Sequence, residues 1–360
     1  MFVFLRLFLS AGIAKIPFIG IPFVIFYVLK DIFAGSYFLR NNIVIYYLIS
    51  LSIILVLAFV RSVQGGGNTE DYLFILAIFF KFFIGPFIGY YAAVAYRRGF
   101  SLHFLALHSL LLTLAILSPA FYDFLLNFQS RGVRDVFFEL NESRSLSFGL
   151  LHNEGAMFIA VNFMFLLKQE KIWRQNTAMF SFIFMAMSRM TGLFLLIILF
   201  IRKFKIFISL IVILLLLTGV PSELLPPIFN QAFEPVIFFV ENRSFQISTI
   251  VTMTDMLIWP HDMTTWLLGD GLFFYSAGAF YMGTDLGFLR LIYFGGLTSL
   301  AVFLLINIFP VFFISKRYID IFLMFILLLL ANIKGLNPHP WMFFLLYFDS
   351  LKEKLPETGR

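Results

Sequence analysis

The chain has 360 residues, of which 61% are apolar and only 13% are charged. Typical soluble domains carry about 45–50% apolar and about 25% charged residues. A water-facing globule of this size cannot hide so much apolar side chain. The composition also excludes a disordered chain, and the lack of cysteine excludes a disulfide framework and a cysteine-ligated metal site. We therefore expect lipid to be the main solvent of this chain.

Apolar runs of membrane-helix length follow one another along the chain. A helix needs about 20 apolar residues to cross the hydrocarbon layer, and these runs lack the alternation that marks membrane strands. We predict an all-α, polytopic transmembrane helix bundle of 11 or 12 spans. The count depends on whether Lys15, Pro17 and Pro22 split the first run. The predicted spans cover residues 2–29, 43–60, 72–95, 101–118, 149–167, 172–187, 190–204, 206–219, 286–309, 318–333 and 340–350.

Basic clusters orient this bundle, because lysine and arginine collect on the cytoplasmic side of membrane proteins. The net charge of +6 therefore requires no nucleic-acid partner. When the spans alternate, the basic clusters share one side, at Lys30 and Arg40, Arg97 and Arg98, Lys168 to Arg174, Arg202 to Lys205, Lys316 and Arg317, and Lys352 and Lys354. The other side receives the loops 61–71, 119–148, 220–284 and 334–339. The largest of them, 220–284, is acidic except for Arg243.

We expect residues 1–360 to form a single integral membrane domain that contains the 220–284 loop. No cleavable signal peptide is predicted, because the first apolar run continues to Leu29 without a small-residue cleavage site. Residues 355–360 read Leu-Pro-Glu-Thr-Gly-Arg, which matches a sortase recognition pentapeptide. A sorting signal continues with an apolar segment, so this tail is interpreted as an engineered tag or a coincidental match.

The basic residues predicted to lie outside are nearly all arginine. An arginine fork grips phosphate at two points, which lysine cannot do. Positive charge on that side opposes the usual bias, so these residues suggest an anion-binding function. The competing interpretation is ordinary surface arginine. The set comprises Arg61, Arg131, Arg134, Arg144, Arg189, Arg243 and Arg290.

Four short segments place polar residues beside apolar runs. Arg189 lies in a turn between two short apolar legs, where a buried charge needs an anionic partner, unless its side chain extends to the membrane surface. Arg243 either binds an anion or forms a salt bridge with a nearby acid. Asp285 opens a long span, where the helix dipole favours a capping acid. The segments are Arg144–Gly155, Ser188–Gly192, Glu241–Ser244 and Leu268–Leu297.

Lys81 interrupts an apolar run, so it is a functional candidate that competes with a role in holding the bundle together. The five histidines show no metal-ligand spacing. The sequence has no HExxH, P-loop, GxSxG or dinucleotide-binding pattern. We therefore predict neither a metal nor a cofactor.

The order and placement of these segments resemble the Wzy-type O-antigen polymerases, in the superfamily that also holds the O-antigen ligases. The resemblance covers about residues 100 to 350 and includes the glycine pairs of Leu268–Leu297. It also includes Asn337-Pro-His339-Pro-Trp341 before the last span. Ligases usually carry a histidine near the position that aligns with Asp285, so this sequence favours a polymerase.

The resemblance implies a GT-C-like bundle in the bacterial inner membrane, with its active site and the 220–284 loop facing the periplasm. The implied reaction moves a growing glycan from undecaprenyl diphosphate onto a new lipid-linked repeat unit, without nucleic acid, metal or cofactor. A chain-length regulator protein is an implied partner, beside membrane lipid. The alternatives are an O-antigen ligase, a lipid-linked oligosaccharide flippase, although no internal repeat is evident, and an accessory membrane subunit.

The same resemblance assigns roles to particular residues. The diphosphate would be held by Arg144, Arg189, Arg243, Arg290 and Lys81, and its developing charge stabilised. Catalysis would involve Asp285, Glu241, Arg189 and Arg243. The general base stays open among Asp285, Glu241, Asp270 and His261. Glycan contacts would come from Asn153, Asp270, His261 and His339.

Overall fold

The computed structural model describes residues 41–96, 118–126, 197–201, 203–217, 256–275, 279–313, 318–332, 336 and 340–352, with the single positions 29, 110 and 114. Within these residues the regular structure is helical, and strand pairing is limited to an isolated bridge between Phe274 and Phe280. The predicted all-α class is confirmed for this part of the chain. The helices are α1 Asn42–Gln64, α2 Thr69–Tyr96, α3 Pro119–Leu126, α4 Phe204–Leu217, α5 Met263–Leu268, α6 Gly287–Ile308, α7 Tyr318–Ala331 and α8 Pro340–Lys352.

Three helices of the described part are long and apolar enough to cross a membrane. They are Asn42–Gln64, Thr69–Tyr90 and Gly287–Phe313, where α6 runs on into the 3₁₀ turn Phe309–Phe313. Their positions agree with the predicted spans 43–60, 72–95 and 286–309, as expected for a helical membrane protein. The predicted spans 2–29, 149–167 and 172–187 lie outside the described residues, except for position 29, so the count of 11 or 12 stays a prediction.

The chain divides into two compact units. The first comprises Met1–Phe23 and Ala95–Val251, and its described part contains α3 and α4. The second comprises Val24–Val94 and Thr252–Arg360, and it contains α1, nearly all of α2, and α5 to α8. All the contacts discussed below lie within this second unit.

Aromatic rings join the long helices of the second unit. Tyr47 of α1 meets Phe344 of α8 edge-on, with ring centroids 4.8 Å apart. Phe82 of α2 meets Phe303 of α6 in the same way, at 5.5 Å. Edge-on aromatic pairs add about 0.5–1.5 kcal/mol each beyond their buried area, so part of the large phenylalanine content acts as the packing material of this unit.

The start of α1 is fixed by one buried amide. The side-chain oxygen of Asn41 accepts a hydrogen bond from the backbone N–H of Ile43, which satisfies one of the free donors at the helix start. The Asn41 amide nitrogen donates to the Tyr347 hydroxyl of α8, at 3.0 Å. The cap of the first described helix is therefore also a link to the last one.

The turn between α1 and α2 is shorter than the predicted loop 61–71, because α1 continues to Gln64 and α2 begins at Thr69. A reciprocal cap starts α2: the Asn68 side chain accepts from the Asp71 N–H, and the Asp71 carboxylate accepts from the Asn68 N–H, both at 3.0 Å. This is the capping-box arrangement, with aspartate as the acid.

Helix α6 is broken near its first third. Gly295 (φ −148°, ψ 28°) and Gly296 (φ 70°, ψ −167°) leave the helical conformation. The Gly269–Gly271 loop packs at this break, where the Asp270 and Gly271 N–H groups donate to the carbonyls of Tyr293 and Phe294. Irregular backbone at membrane depth needs hydrogen-bond partners from buried protein groups. The loop provides such partners for the backbone carbonyls at the break.

Glycine is required where these backbones touch. A Cβ atom on Gly296 would lie 2.7 Å from the Leu268 nitrogen and closer still to the Leu267 carbonyl oxygen. A Cβ atom on Gly65, at the end of α1, would lie 2.8 Å from the Gly271 Cα. The glycines of the sequence pattern therefore mark a three-way backbone contact between the α1 end, the Gly269–Gly271 loop and the α6 break.

Candidate anion-binding site at the broken helix

Arg290 is the centre of the candidate site. It lies in the first half of α6, and its side chain is only 4% exposed. Neighbouring residues of this half-helix form an apolar cluster that includes Leu289 and Tyr293 and packs against Trp266. This packing holds the half-helix that carries the guanidinium in a defined position.

Three phenylalanine rings surround the guanidinium. Its central carbon lies 3.8 Å from the ring centroid of Phe280, 4.8 Å from that of Phe74 and 5.8 Å from that of Phe274. Cation–π contacts of this kind contribute about 0.5–2 kcal/mol, with the larger values for desolvated groups. The rings therefore shield the charge from solvent without neutralising it.

Asp285 supplies the opposite charge. Its Oδ1 lies 3.7 Å from Nη1 of Arg290, and the carboxylate side chain is 43% exposed. The structure brings these two predicted site residues together. The N-cap position of α6 is Leu286, so Asp285 lies one residue before the position that the capping interpretation required.

The guanidinium retains hydrogen-bonding capacity. Among the residues that the structure describes, Nε and Nη2 of Arg290 have no hydrogen-bond partner. A buried donor without a partner costs about 1–3 kcal/mol, and more when it is charged. These two nitrogens lie on one edge of the planar fork, the geometry that binds two oxygens of a carboxylate or phosphate.

The depth of the site follows from its contact with α2. Phe74 lies five residues after Thr69, which at about 1.5 Å per residue is about 7 Å along the helix axis. Arg290 therefore lies near the end of the apolar span Thr69–Tyr90, and not at its middle.

Asp71 holds the chain segment that carries two of the rings. This carboxylate is 0% exposed, and its Oδ1 accepts backbone N–H groups of Phe273 at 2.7 Å and Phe274 at 3.0 Å. Phe274 pairs with Phe280 through an isolated antiparallel bridge. A buried acid more than 200 residues away along the chain therefore places the aromatic wall of the site.

Arg61 supports the same region from α1. Its Nη2 donates to the carbonyl oxygen of Gly269, and the residue is half-buried. Its position in the last turn of α1 is favoured by the helix dipole. Arg61 is therefore not an ordinary surface arginine: it holds the Gly269–Gly271 loop, and whether it also binds an anion stays a prediction.

Asp270 is committed to neighbours within its own segment. Its carboxylate accepts from the Thr265 hydroxyl at 2.9 Å. Partial burial and then the Asp270 charge raise the pKa of Tyr281 from 10 to about 12. Asp270 is therefore held by polar side chains of the segment in which it lies.

The remaining described candidates lie apart from the guanidinium. His261 is exposed just before α5, next to Trp259, which stacks on Trp266 with ring centroids 5.5 Å apart. Lys81 is exposed on α2, seven residues beyond Phe74 and so about 10 Å deeper along the axis. The structure places neither side chain in the shell of rings around Arg290.

Other predicted site residues lie outside the described residues. They are Arg144, Asn153, Arg189, Glu241, Arg243 and His339, and their roles stay predictions. Within the described part of the chain, no group of three or more histidine, aspartate or glutamate residues is placed to hold a metal ion.

Comparison with known proteins adds no family to this picture. No protein-family model, curated protein or solved structure matches the chain. The geometry and the chemistry of its residues therefore carry the functional argument.

Proposed function

We propose that this chain is an integral membrane glycosyltransferase that polymerises lipid-diphosphate-linked oligosaccharides, in the manner of the Wzy-type O-antigen polymerases. One observation carries the proposal: a buried arginine, two of whose donors have no hydrogen-bond partner among the described residues, lies beside a partly exposed carboxylate near the end of an apolar span. A leaving diphosphate needs such a donor fork, and an acceptor hydroxyl needs such a base.

The reaction balances without a cofactor. The acceptor hydroxyl oxygen of an incoming repeat unit bonds to the anomeric carbon of the growing glycan. The bond from that carbon to the undecaprenyl diphosphate oxygen breaks, and its electron pair leaves with the diphosphate. The hydroxyl proton passes to a carboxylate, for which we propose Asp285. Arg290, with Arg144, Arg189, Arg243 and Lys81, would stabilise the charge that develops on the diphosphate, at about 1.5–3 kcal/mol for each charged hydrogen bond.

The setting of the enzyme belongs to the same proposal. We place it in the bacterial inner membrane with 11 or 12 spans, with the 220–284 loop and the active site facing the periplasm. Glu241, Asp270, His261, Asn153 and His339 would contact the glycan or assist the base. A chain-length regulator protein is the expected partner.

The test uses the purified full-length chain with undecaprenyl-diphosphate-linked repeat units. Polymer seen on a gel without ATP or nucleotide sugar supports the proposal. Arg189→Ala and Arg243→Ala should abolish the polymer while the protein still accumulates in the membrane. Arg317→Ala, from the cytoplasmic cluster, is the matched control and should retain it. Normal polymer in both site variants would refute the assignment, and polymer formed only on lipid A–core would instead indicate a ligase.

A second candidate is a lipid-linked oligosaccharide flippase. The break at Gly295 and Gly296 favours it, because transporters use discontinuous membrane helices at their substrate sites. A flippase would move labelled lipid-linked repeats across proteoliposomes without joining them. Transport without polymer would select this candidate, whereas polymer from single repeats selects the transferase.

A further inference from the structure

The short helix α5 exposes apolar side chains. Met263 is 75% exposed, Leu267 58% and Leu268 63%. Met263 and Leu267 are four residues apart and therefore lie on one side of the helix, and Leu268 adjoins them. Trp266 of the same helix is more buried and packs against the apolar cluster at the start of α6. An exposed apolar surface of adjoining residues marks a contact with another protein or with a membrane.

Arg61 fixes the level of α5 relative to the membrane. Asn42 and Arg61 are 19 positions apart in α1, which is about 28 Å of helix. This length is close to the roughly 30 Å thickness of the hydrocarbon layer, so Arg61 lies at one surface of that layer. Its Nη2 donates to the carbonyl oxygen of Gly269, the residue that directly follows α5.

The backbone of Gly271 lies at the same level. A Cβ atom on Gly271 would lie 2.6 Å from the Arg61 carbonyl oxygen and 3.0 Å from the Gly65 Cα, so this loop touches the end of α1 directly. Within one turn of Arg61, Leu57 and Val60 are exposed apolar residues of the same apolar span. Lipid therefore reaches the level at which α5 ends.

Trp259 adds an aromatic ring of the kind that collects at membrane surfaces. It is 44% exposed and stacks on Trp266, with ring centroids 5.5 Å apart. The Trp266 ring is itself fixed, because its Nε1 donates to the Pro260 carbonyl oxygen at 3.0 Å. The next two exposed residues, His261 and Asp262, are polar. An exposed tryptophan beside polar residues is typical of the boundary between headgroups and hydrocarbon.

We infer that α5 and Trp259 form an interfacial contact with lipid, in which the exposed apolar side chains of α5 lie in the surface of the bilayer that the protein spans. The level of the α5 end selects lipid as the partner, because lipid already surrounds the neighbouring end of α1. Interfacial helices bury their apolar side about 5–10 Å into this boundary. The last part of the predicted 220–284 loop therefore belongs to the membrane surface and not to the aqueous phase.

This contact also bears on the candidate site. The Gly269–Gly271 loop follows α5 directly and packs at the α6 break through its N–H groups. Lipid around α5 therefore helps to hold the loop at the break. The inference does not rest on the proposed transferase, because it uses only the level and the exposure of this segment.

The test uses spin labels on the full-length protein in phosphatidylcholine nanodiscs. The chain has no native cysteine, so Met263→Cys, Leu267→Cys and Leu268→Cys each carry a single label. Val56→Cys, at an exposed apolar position of α1, is the lipid reference, and Glu70→Cys, at the exposed start of α2, is the water reference. Electron paramagnetic resonance then measures how often each label collides with oxygen, which dissolves in lipid, and with a water-soluble nickel chelate.

We expect the three α5 labels to collide more often with oxygen than with nickel, as the Val56→Cys label does, and to report a depth of about 5–10 Å. A preference for nickel like that of Glu70→Cys would place α5 in water and overturn the inference. Low collision rates with both reagents would mean that protein covers α5, from this chain or from a second copy, and would equally overturn it. If one variant fails to fold, the other two positions decide the result.

Discussion

The backbone contact at the α6 break allows a sharp test with a paired substitution. Gly296 and Gly66 share a positive φ, +70° and +74°. A Cβ atom at Gly66 would meet nothing within 4 Å, whereas at Gly296 it would approach the Leu267–Leu268 backbone more closely than the 3.0 Å that real Cβ atoms keep. Alanine at either position therefore adds backbone strain, but only Gly296→Ala also displaces the α5 end and the Gly269–Gly271 loop.

The expected costs differ accordingly. Strain at a positive φ costs about 1–3 kcal/mol at either site. Displacing the loop also breaks its two hydrogen bonds to Tyr293 and Phe294, at about 0.5–1.5 kcal/mol each. Gly296→Ala should therefore be less stable than Gly66→Ala by about 1–3 kcal/mol. At about 2–4 °C per kcal/mol for a domain of this size, the difference in melting temperature is about 2–12 °C.

Thermal unfolding of the two variants in the same detergent measures this difference directly. The reasoning is refuted if the two melting temperatures coincide, or if Gly66→Ala is the less stable variant. In that case the Gly269–Gly271 loop would not be held at the α6 break as described.

Three other predictions follow from the same contacts. Asp71→Ala should lower the melting temperature far more than Glu70→Gln, a substitution at the exposed neighbouring residue. The reason is that Asp71→Ala leaves three buried or partly buried N–H groups without their acceptor, at about 1–3 kcal/mol each. Equal effects of the two substitutions would contradict the role of Asp71. Tyr281 has a pKa of about 12 in the folded chain, against 10 in the unfolded chain. It therefore contributes stability that is fully present below pH 10 and is lost as the pH rises to 12. The difference in stability between the parent chain and Tyr281→Phe should stay constant below pH 10 and shrink above it, and a difference that is constant throughout would contradict the raised pKa. Phe280→Leu should destabilise the protein by about 0.5–2 kcal/mol more than Phe312→Leu, a control at an exposed position, because only Phe280→Leu removes a cation–π contact. Chemical denaturation measures the stability of both variants, and equal losses of stability would argue against that contact.

Much of the fold follows from local sequence, because in lipid each helix must satisfy its own backbone. The long apolar runs predicted α1, α2 and α6 to within a few residues at most ends. The exception is the predicted loop 61–71, where α1 reaches Gln64. A few polar residues near the ends of an apolar run do not end a helix, and the predicted boundary followed polarity alone.

The site was less predictable, because its contacts join distant segments. The sequence did single out Asp285 and Arg290, which are five residues apart and near one helix start. It gave no sign that Phe74, about 200 residues earlier, lies over the same guanidinium. Asn68 and Asp71 have the spacing of a capping box, so the start of α2 was predictable. The second role of Asp71, as acceptor for the Phe273 segment, depends on tertiary packing that no local pattern encodes.

The candidate site depends on three connected features: the break in α6, the Gly269–Gly271 loop and the buried Arg290. An unbroken helix from Gly287 would keep its carbonyls within its own backbone ladder and would offer the loop no acceptors. Without those acceptors the loop would not pack at this position, and the bridged residues Phe274 and Phe280 would lose one of their two anchors, the other being Asp71. The arginine would then lie at the edge of a span without the rings that shield it. The glycine pair at the break is therefore as necessary to the candidate site as the charges themselves, although it contacts neither of them.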